Sequence, residues 1–225
     1  HALAENIKWN TFALYEHATK RILLDGVSTR YGIGAAGIEA KISSPNNGQN
    51  ISLKYGFGYH PSYSIRSSST EFTGPVIGHL FEASTKFDAF RDMFDGAQIG
   101  LKYTNRRVYS DDLRGVRGGI EYTSSTDATM SAIELIFSKE FTFSSTASVA
   151  PFFGINVWNL SAIGNAYSSN LTIKKNVTGG NSEPMAGFIY QTNFKERDLN
   201  FGLTYRSITA DNFVETVEIF ASYSF

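Results

Sequence analysis

The residues able to do chemistry are few and scattered. Four histidines occur in 225 residues, at positions 1, 17, 60 and 79. His60 stands in Gly58-Tyr59-His60-Pro61-Ser62, so a base and a hydroxyl lie two residues apart. Such a pair could supply proton transfer and a nucleophile. No acidic residue stands nearby to orient the imidazole, so a turn or interfacial histidine is the plainer reading. His79, in Gly78-His79-Leu80, reads the same way, and His17 falls at the end of the first strand. The chain has no cysteine, which excludes thiolate nucleophiles, disulfides and cysteine metal sites. The histidines lack metal-ligand spacing. No metal and no cofactor is expected. Asn170-Leu171-Thr172 and Asn176-Val177-Thr178 fit the glycosylation sequon and read as chance matches.

The elements that would hold these groups show a period of two, in segments of about ten residues. Leu53, Tyr55, Phe57 and Tyr59 alternate with Lys54, Gly56, Gly58 and His60. Ile99, Leu101 and Tyr103 alternate with Gly100, Lys102 and Thr104, and Val116–Tyr122 and Ile133–Ser138 repeat the pattern. So do Val149–Val157, Ala186–Phe194, Leu199–Arg206 and Val217–Phe225. Ile77–Phe87 is less regular, and Tyr31–Ile42 changes parity near Ala36-Gly37, where a β-bulge would account for the shift. Turn formers crowd Ser43–Gly48, Ser67–Thr70 and Gly179–Ser182, and Lys195–Arg197 makes a hairpin link. Phe87–Phe94 has only a faint helical pattern. Eleven strands are counted, and Leu171–Thr178 would supply a twelfth. An even number is needed if both termini share one side. Twelve is the first expectation and ten the alternative, in a single domain over 1–225.

What lies on the two parities decides the class. A soluble barrel carries Lys, Glu and Asp outside. Here the polar parity is mostly Gly, Ser, Thr and Asn, which suits an interior. The apolar parity places Tyr59, Tyr103, Tyr122, Tyr205 and Tyr223 near segment ends, as interfacial girdles require. The expected fold is therefore all-β: an antiparallel up-and-down transmembrane β-barrel. Its expected lumen lining is Lys54, Glu82, Lys86, Lys102, Arg117, Glu121, Glu134, Arg206 and Glu218. Basic and acidic residues balance at 20 against 21, with no basic stripe, so nucleic acid is not an expected partner.

The ending Ala221-Ser222-Tyr223-Ser224-Phe225 resembles the C-terminal signature of bacterial outer-membrane proteins. That resemblance implies insertion by the barrel-assembly machinery, which reads the last strand, with Ala221, Tyr223 and Phe225 facing outward. It also implies a setting of outer-membrane lipid and lipopolysaccharide in a Gram-negative bacterium. Ala2-x-Ala4 looks like the end of a signal peptide, so residues 1–5 are expected to be a remnant of the cleavage region or a disordered N-terminus. Asp111-Asp112 resembles the paired aspartates of outer-membrane proteases, but its neighbourhood reads as a solvated loop. No catalytic residue is assigned. The expected function is a monomeric narrow porin, a channel for small hydrophilic solutes whose opposed lumen charges set a field across it. One alternative is a non-conducting barrel whose extracellular loops, above all 160–182, engage a partner or surface polymer. Another is an outer-membrane lipid-modifying enzyme.

Overall fold

A computed structural model describes residues 7–18, 22–24, 27–30, 32–43, 49–67, 70–88, 97–168, 171–207 and 215–225. Thirteen strands form one antiparallel sheet, and no helix occurs among the described residues. They are β1 (Ile7–Ala18), β2 (Ile22–Leu24), β3 (Val27–Arg30), β4 (Gly32–Ser43), β5 (Asn50–Ser67), β6 (Thr70–Asp88) and β7 (Ala97–Arg117). Then come β8 (Ile120–Lys139), β9 (Phe141–Ser144), β10 (Ala147–Ser168), β11 (Leu171–Phe194), β12 (Arg197–Ser207) and β13 (Glu215–Ser224). Ten of them close a barrel in the order β1-β4-β5-β6-β7-β8-β10-β11-β12-β13, with β13 returning to β1 from Asn10↔Ser224 to Ala18↔Thr216. The short β2 and β3 stand outside the ring, β3 pairing with the far end of β5, while β9 continues β8 alongside the start of β10.

The barrel has ten strands, not twelve, and two local features account for the difference. Val116–Tyr122 is not one strand, because the chain reverses at Gly118 and Gly119. Both have positive φ (58° and 80°), which glycine adopts without a Cβ penalty and which matches the twist of a hairpin. Leu171–Thr178 and Ala186–Phe194 fuse into the single 24-residue β11, so Gly179–Ser182 is strand rather than turn. Leu160 pairs with Gly179 and Ser168 with Leu171, so the region 160–182 is a long hairpin. The expected turn at Lys195-Glu196 is present, both residues having positive φ. The Ser43–Gly48 turn lies mostly outside the described residues, as do Phe87–Phe94 beyond Asp88 and the region of Ala2-x-Ala4.

No bulge occurs at Ala36-Gly37, since β4 pairs without a break on both sides. The parity change has another cause: Ala35 faces inward and packs with Phe12, Leu14 and Leu80. The register shifts fall higher, at His60/Tyr63, Thr73/Ile77 and Ser110/Leu113. These three sit side by side on neighbouring strands and mark a change in the wall.

Strand length explains that change. β1, β4, β12 and β13 have 10 to 12 residues, about what a tilted strand needs to cross hydrocarbon. β5, β6, β7, β8, β10 and β11 have 18 to 24. Ile7 and Phe225 lie at one rim, so the surplus of these six strands rises beyond the opposite rim. At ~3.3 Å per residue, roughly ten extra residues project ~33 Å along the strand. The extension has its own interior: Tyr63, Phe72, Val76 and Leu113 are buried together, with Ile65, Tyr122 and Ala166 against them. Tyr122 is thus part of this cluster and not of an aromatic girdle.

On β7, β8 and β10 the outer surface divides below those register shifts. Ile99, Leu101 and Tyr103 on β7, Ile133 and Leu135 on β8, and Phe153, Ile155 and Val157 on β10 point outward in one band. Immediately beyond it the outward residues become Asn105, Ser131 and Asn159, and Asn105 Nδ2 donates to Ser131 Oγ at 2.9 Å. An apolar band capped by a polar wall is what a bilayer surface demands of a barrel.

Candidate functional site

The inward parity of the short part of the barrel is crowded with charge. Arg206 on β12 is the hub. Its Nη1 donates to Glu16 Oε2 at 3.2 Å, and its Nη2 donates to Glu134 Oε1 at 2.7 Å and to Glu218 Oε2 at 3.3 Å. Arg106 on β7 pairs with Glu16 and reaches Glu218 at 2.8 Å. Lys102 holds Glu134 at 2.6 Å, and Lys54 holds Glu82 at 2.8 Å and lies 3.9 Å from Glu39. Asn10 and Ser52 donate to the two oxygens of Glu39 at 2.7 and 2.6 Å. The Lys54 ammonium also sits over the rings of Phe220 and Phe12, at 5.3 and 6.0 Å.

The register makes this network possible. Glu82 is opposite Lys54, and Lys102 is opposite Glu134, so each pair begins as a cross-strand contact. Arg106 and Glu218 are different. β7 and β13 stand five places apart in a ring of ten, which is the full diameter. A 2.8 Å contact between them joins opposite walls through the middle of the lumen. Small residues allow the approach. A Cβ at Gly202 would fall 1.8 Å from the Phe220 ring, and one at Gly56 would fall 2.9 Å from Phe12. The rings therefore pack close against these glycines, beside the Lys54 ammonium. Beside Arg106 a cavity of about 20 Å³ remains between Leu14, Ala35, Leu80 and Val108, room for about one water.

Of the nine residues expected to line a lumen, Lys54, Glu82, Lys102, Glu134, Arg206 and Glu218 come together in this network. Lys86 is half-buried, nearer the rim that carries Ile7 and Phe225, opposite Asn50 and Gly100. Arg117 and Glu121 are not in the interior. They flank the Gly118-Gly119 turn and are exposed, because the strand expected there is a hairpin tip. Glu16, Glu39, Arg106 and Asn10 were not anticipated. Arg106 shares the parity of Lys102 and Thr104, so following that alternation two residues further would have found it. Phe225 and Ile219 are exposed on the outward side of β13, with Ala221 and Tyr223 half-exposed between them.

Of the described residues considered for catalysis, His79 and Asp111 line one outer groove, while His60 and Asp112 are not part of its lining. His79 faces outward, its Nδ1 3.0 Å from the Tyr55 hydroxyl and its ring against Phe57. His60 is half-buried beside the β5 bulge, and the Ser62 side chain lies outside the described set. Asp112 is exposed and takes both donors of Arg114 at 3.0 and 3.1 Å, which holds its carboxyl below the usual aspartate range. Asp111 points into a groove on the outer wall of the extension. That groove, about 490 Å³, is lined by His79, Arg107, Tyr109, Asp111, Ser125, Asp127 and Asn165 among others. Arg107 grips Asp127 with two bonds of 2.9 and 2.6 Å, and Asn165 Nδ2 donates to Ser125 Oγ at 3.3 Å. Arg107 holds the Asp127 carboxyl below its ordinary value.

A closed antiparallel ring, apolar outside over the height of a bilayer and charged within, is a transmembrane β-barrel. Its fold is that of bacterial outer-membrane proteins. The translocator domain of the autotransporter NalP from Neisseria meningitidis superposes with a TM-score of 0.59 at 8% identity, over 96% of this chain and 87% of that one. The outer-membrane protease OmpT from Escherichia coli gives 0.54 at 9% identity, over 97% and 93%. The β domain of the Bordetella autotransporter BrkA gives 0.50 at 10%, over 97% and 99%. At such identities the likeness is one of fold alone. Neither a family model nor a curated protein sequence matches the chain.

Proposed function

We propose that this chain is a non-conducting outer-membrane barrel that serves as a base for its projecting sheet, which binds a partner at the cell surface. The observation that carries the reading is the Arg106–Glu218 contact across the full diameter. A conducting pore needs a continuous water path. Here two buried charges meet across it, the Phe12 and Phe220 rings pack beside the Lys54 ion, and the apolar cluster around Leu113 lies in the extension beyond. The narrow porin expected from the sequence would need these contacts to part. The projecting hairpins supply the alternative: a wall with its own buried interior, whose outer face carries the groove lined by Arg107, Asp111 and Asp127. In this reading the rim with Ile7 and Phe225 faces the periplasm, the extension faces the exterior, and the apolar band meets lipid and lipopolysaccharide. The outward Ala221, Tyr223 and Phe225 are what the assembly machinery would read, and the barrel works as a monomer.

The test is conductance of the folded protein in a planar lipid bilayer, with insertion verified by heat-modifiable migration on a denaturing gel. No conductance steps are expected. Discrete, reproducible steps would overturn the closed lumen and return the porin reading.

A further inference from the structure

We propose that the outer-wall groove of the extension is a carbohydrate site that takes a neutral hexose unit. The proposal rests on the surface-binding reading and gives it a ligand class. The volume of about 490 Å³ lies in the range of small-molecule sites and is large enough for a mono- or disaccharide. Its lining is what a polyhydroxyl ligand needs. Asp111 and Asp127 accept from hydroxyls, Arg107 and Asn165 donate, and Ser125 does either. The Arg107–Asp127 fork fixes two of these groups in one plane, and the Asn165–Ser125 bond fixes the opposite side. Fixed donors and acceptors bind hydroxyls at little cost in ordering. The Asp111 carboxylate makes no hydrogen bond or ion pair among the described residues and is exposed. Tyr109 and Ile163 provide apolar surface for the C–H face of a sugar ring, at 37% and 41% exposure.

Charge selects among saccharides. Two carboxylates stand against one guanidinium in the groove, and only one of the two is paired with it. Phosphorylated, sulfated or carboxylated sugars would meet the unpaired Asp111 and be repelled. A basic cluster for lipid phosphate would look quite different. Position suits a glycan as well. Arg107 lies four residues beyond Tyr103, the last outward aromatic of the apolar band on β7. At ~3.3 Å per residue on a tilted strand, the groove stands ~10 Å above the hydrocarbon edge. The sugar could belong to lipopolysaccharide in the same leaflet or arrive from outside, and the chemistry is the same in both cases.

Purified folded protein in detergent would be titrated calorimetrically with maltose, lactose and mannobiose, and with a sulfated lactose. Binding of at least one neutral disaccharide is expected, at least tenfold tighter than the sulfated form. D111A and N165A should each weaken it about tenfold while migrating on unboiled gels as the parent does. Competition by purified lipopolysaccharide would assign the source to the membrane, and its absence to a free glycan. Tighter binding of the sulfated sugar, equal binding by both variants, or no binding of any neutral sugar would overturn the proposal. Those failures leave the closed-lumen reading standing, because the bilayer measurement decides that one separately.

Discussion

Replacing Arg206 by alanine tests whether the lumen is dry. In the native barrel Arg206 touches Glu16, Glu134 and Glu218, and its side chain is 5% exposed. Without it each carboxylate keeps one cation: Arg106 serves Glu16 and Glu218, and Lys102 serves Glu134. The loss is therefore a shortage of charge and of hydrogen bonds, not total abandonment. Removing one member of a buried pair costs about 3–5 kcal/mol, and the remaining partners place R206A near the lower figure. The assay is urea unfolding of the protein refolded into lipid vesicles. Trp158, buried inside, and Trp9, on the outer face, report the two sides of the wall by fluorescence. The control is R107A, which breaks an ion pair of the same type whose side chains are 58% and 44% exposed. That variant should unfold at nearly the same urea concentration as the parent. If R206A costs no more than R107A, the interior is wet, the network is screened like a surface one, and the argument for a closed lumen fails.

Three further outcomes follow from the packing. G202A should cost about 1–3 kcal/mol, because its Cβ meets the Phe220 ring at 1.8 Å; F220L in the same chain should restore most of the loss in urea unfolding. L113A removes a side chain with no exposure from the extension cluster and should cost about 2–5 kcal/mol. Its effect should fall on the extension: hydrogen exchange should quicken in the described parts of 105–130 while β12 and β13 keep their protection. Finally, Arg107 holds the folded-state Asp127 carboxyl below its ordinary value of 3.8. Any stability from this exposed pair is present at neutral pH and is lost only as pH falls below that value. Between pH 5 and 8 the backbone exchange rates around Asp127 should be flat apart from the intrinsic dependence, and a step near pH 6.5 would refute the assignment.

Alternation carried most of the barrel into the sequence reading, because each crossing strand meets lipid on one side and the interior on the other. It failed where that contrast ends. In the extension both faces meet protein or water. Leu171–Ser182 therefore has no lipid-facing row, and its glycines read as a turn although they lie within β11. Gly118-Gly119 made the opposite error. Their neighbours Val116 and Ile120 keep the apolar parity on either side of a reversal, and only two consecutive positive φ angles reveal the turn. Lys54, Glu82 and Glu134 were legible as interior from parity. The Arg106–Glu218 pairing across the diameter was not, since a one-dimensional pattern says which face a residue takes and nothing about the wall opposite. Phe220 stood out as an aromatic on the polar parity, and Gly202 on the next strand explains it.

The seam of the ring is the β1–β13 pairing, where Asn10 meets Ser224 and Ala18 meets Thr216. Every other strand pairing in the ring joins strands that are near neighbours in the chain; this one joins its first and last strands. Until β13 is in place, β1 and β12 both present unpaired edges, a template for pairing with any other chain. Loop-closure entropy makes this the slowest contact to reward. The charge network sits across that seam, because Glu16 belongs to β1 and Glu218 to β13, and both depend on cations from β7 and β12. The groups that meet across the lumen are thus also placed to hold the seam. A barrel that has not closed has not yet buried its charges, so it lacks the ion pairs that would hold that seam shut.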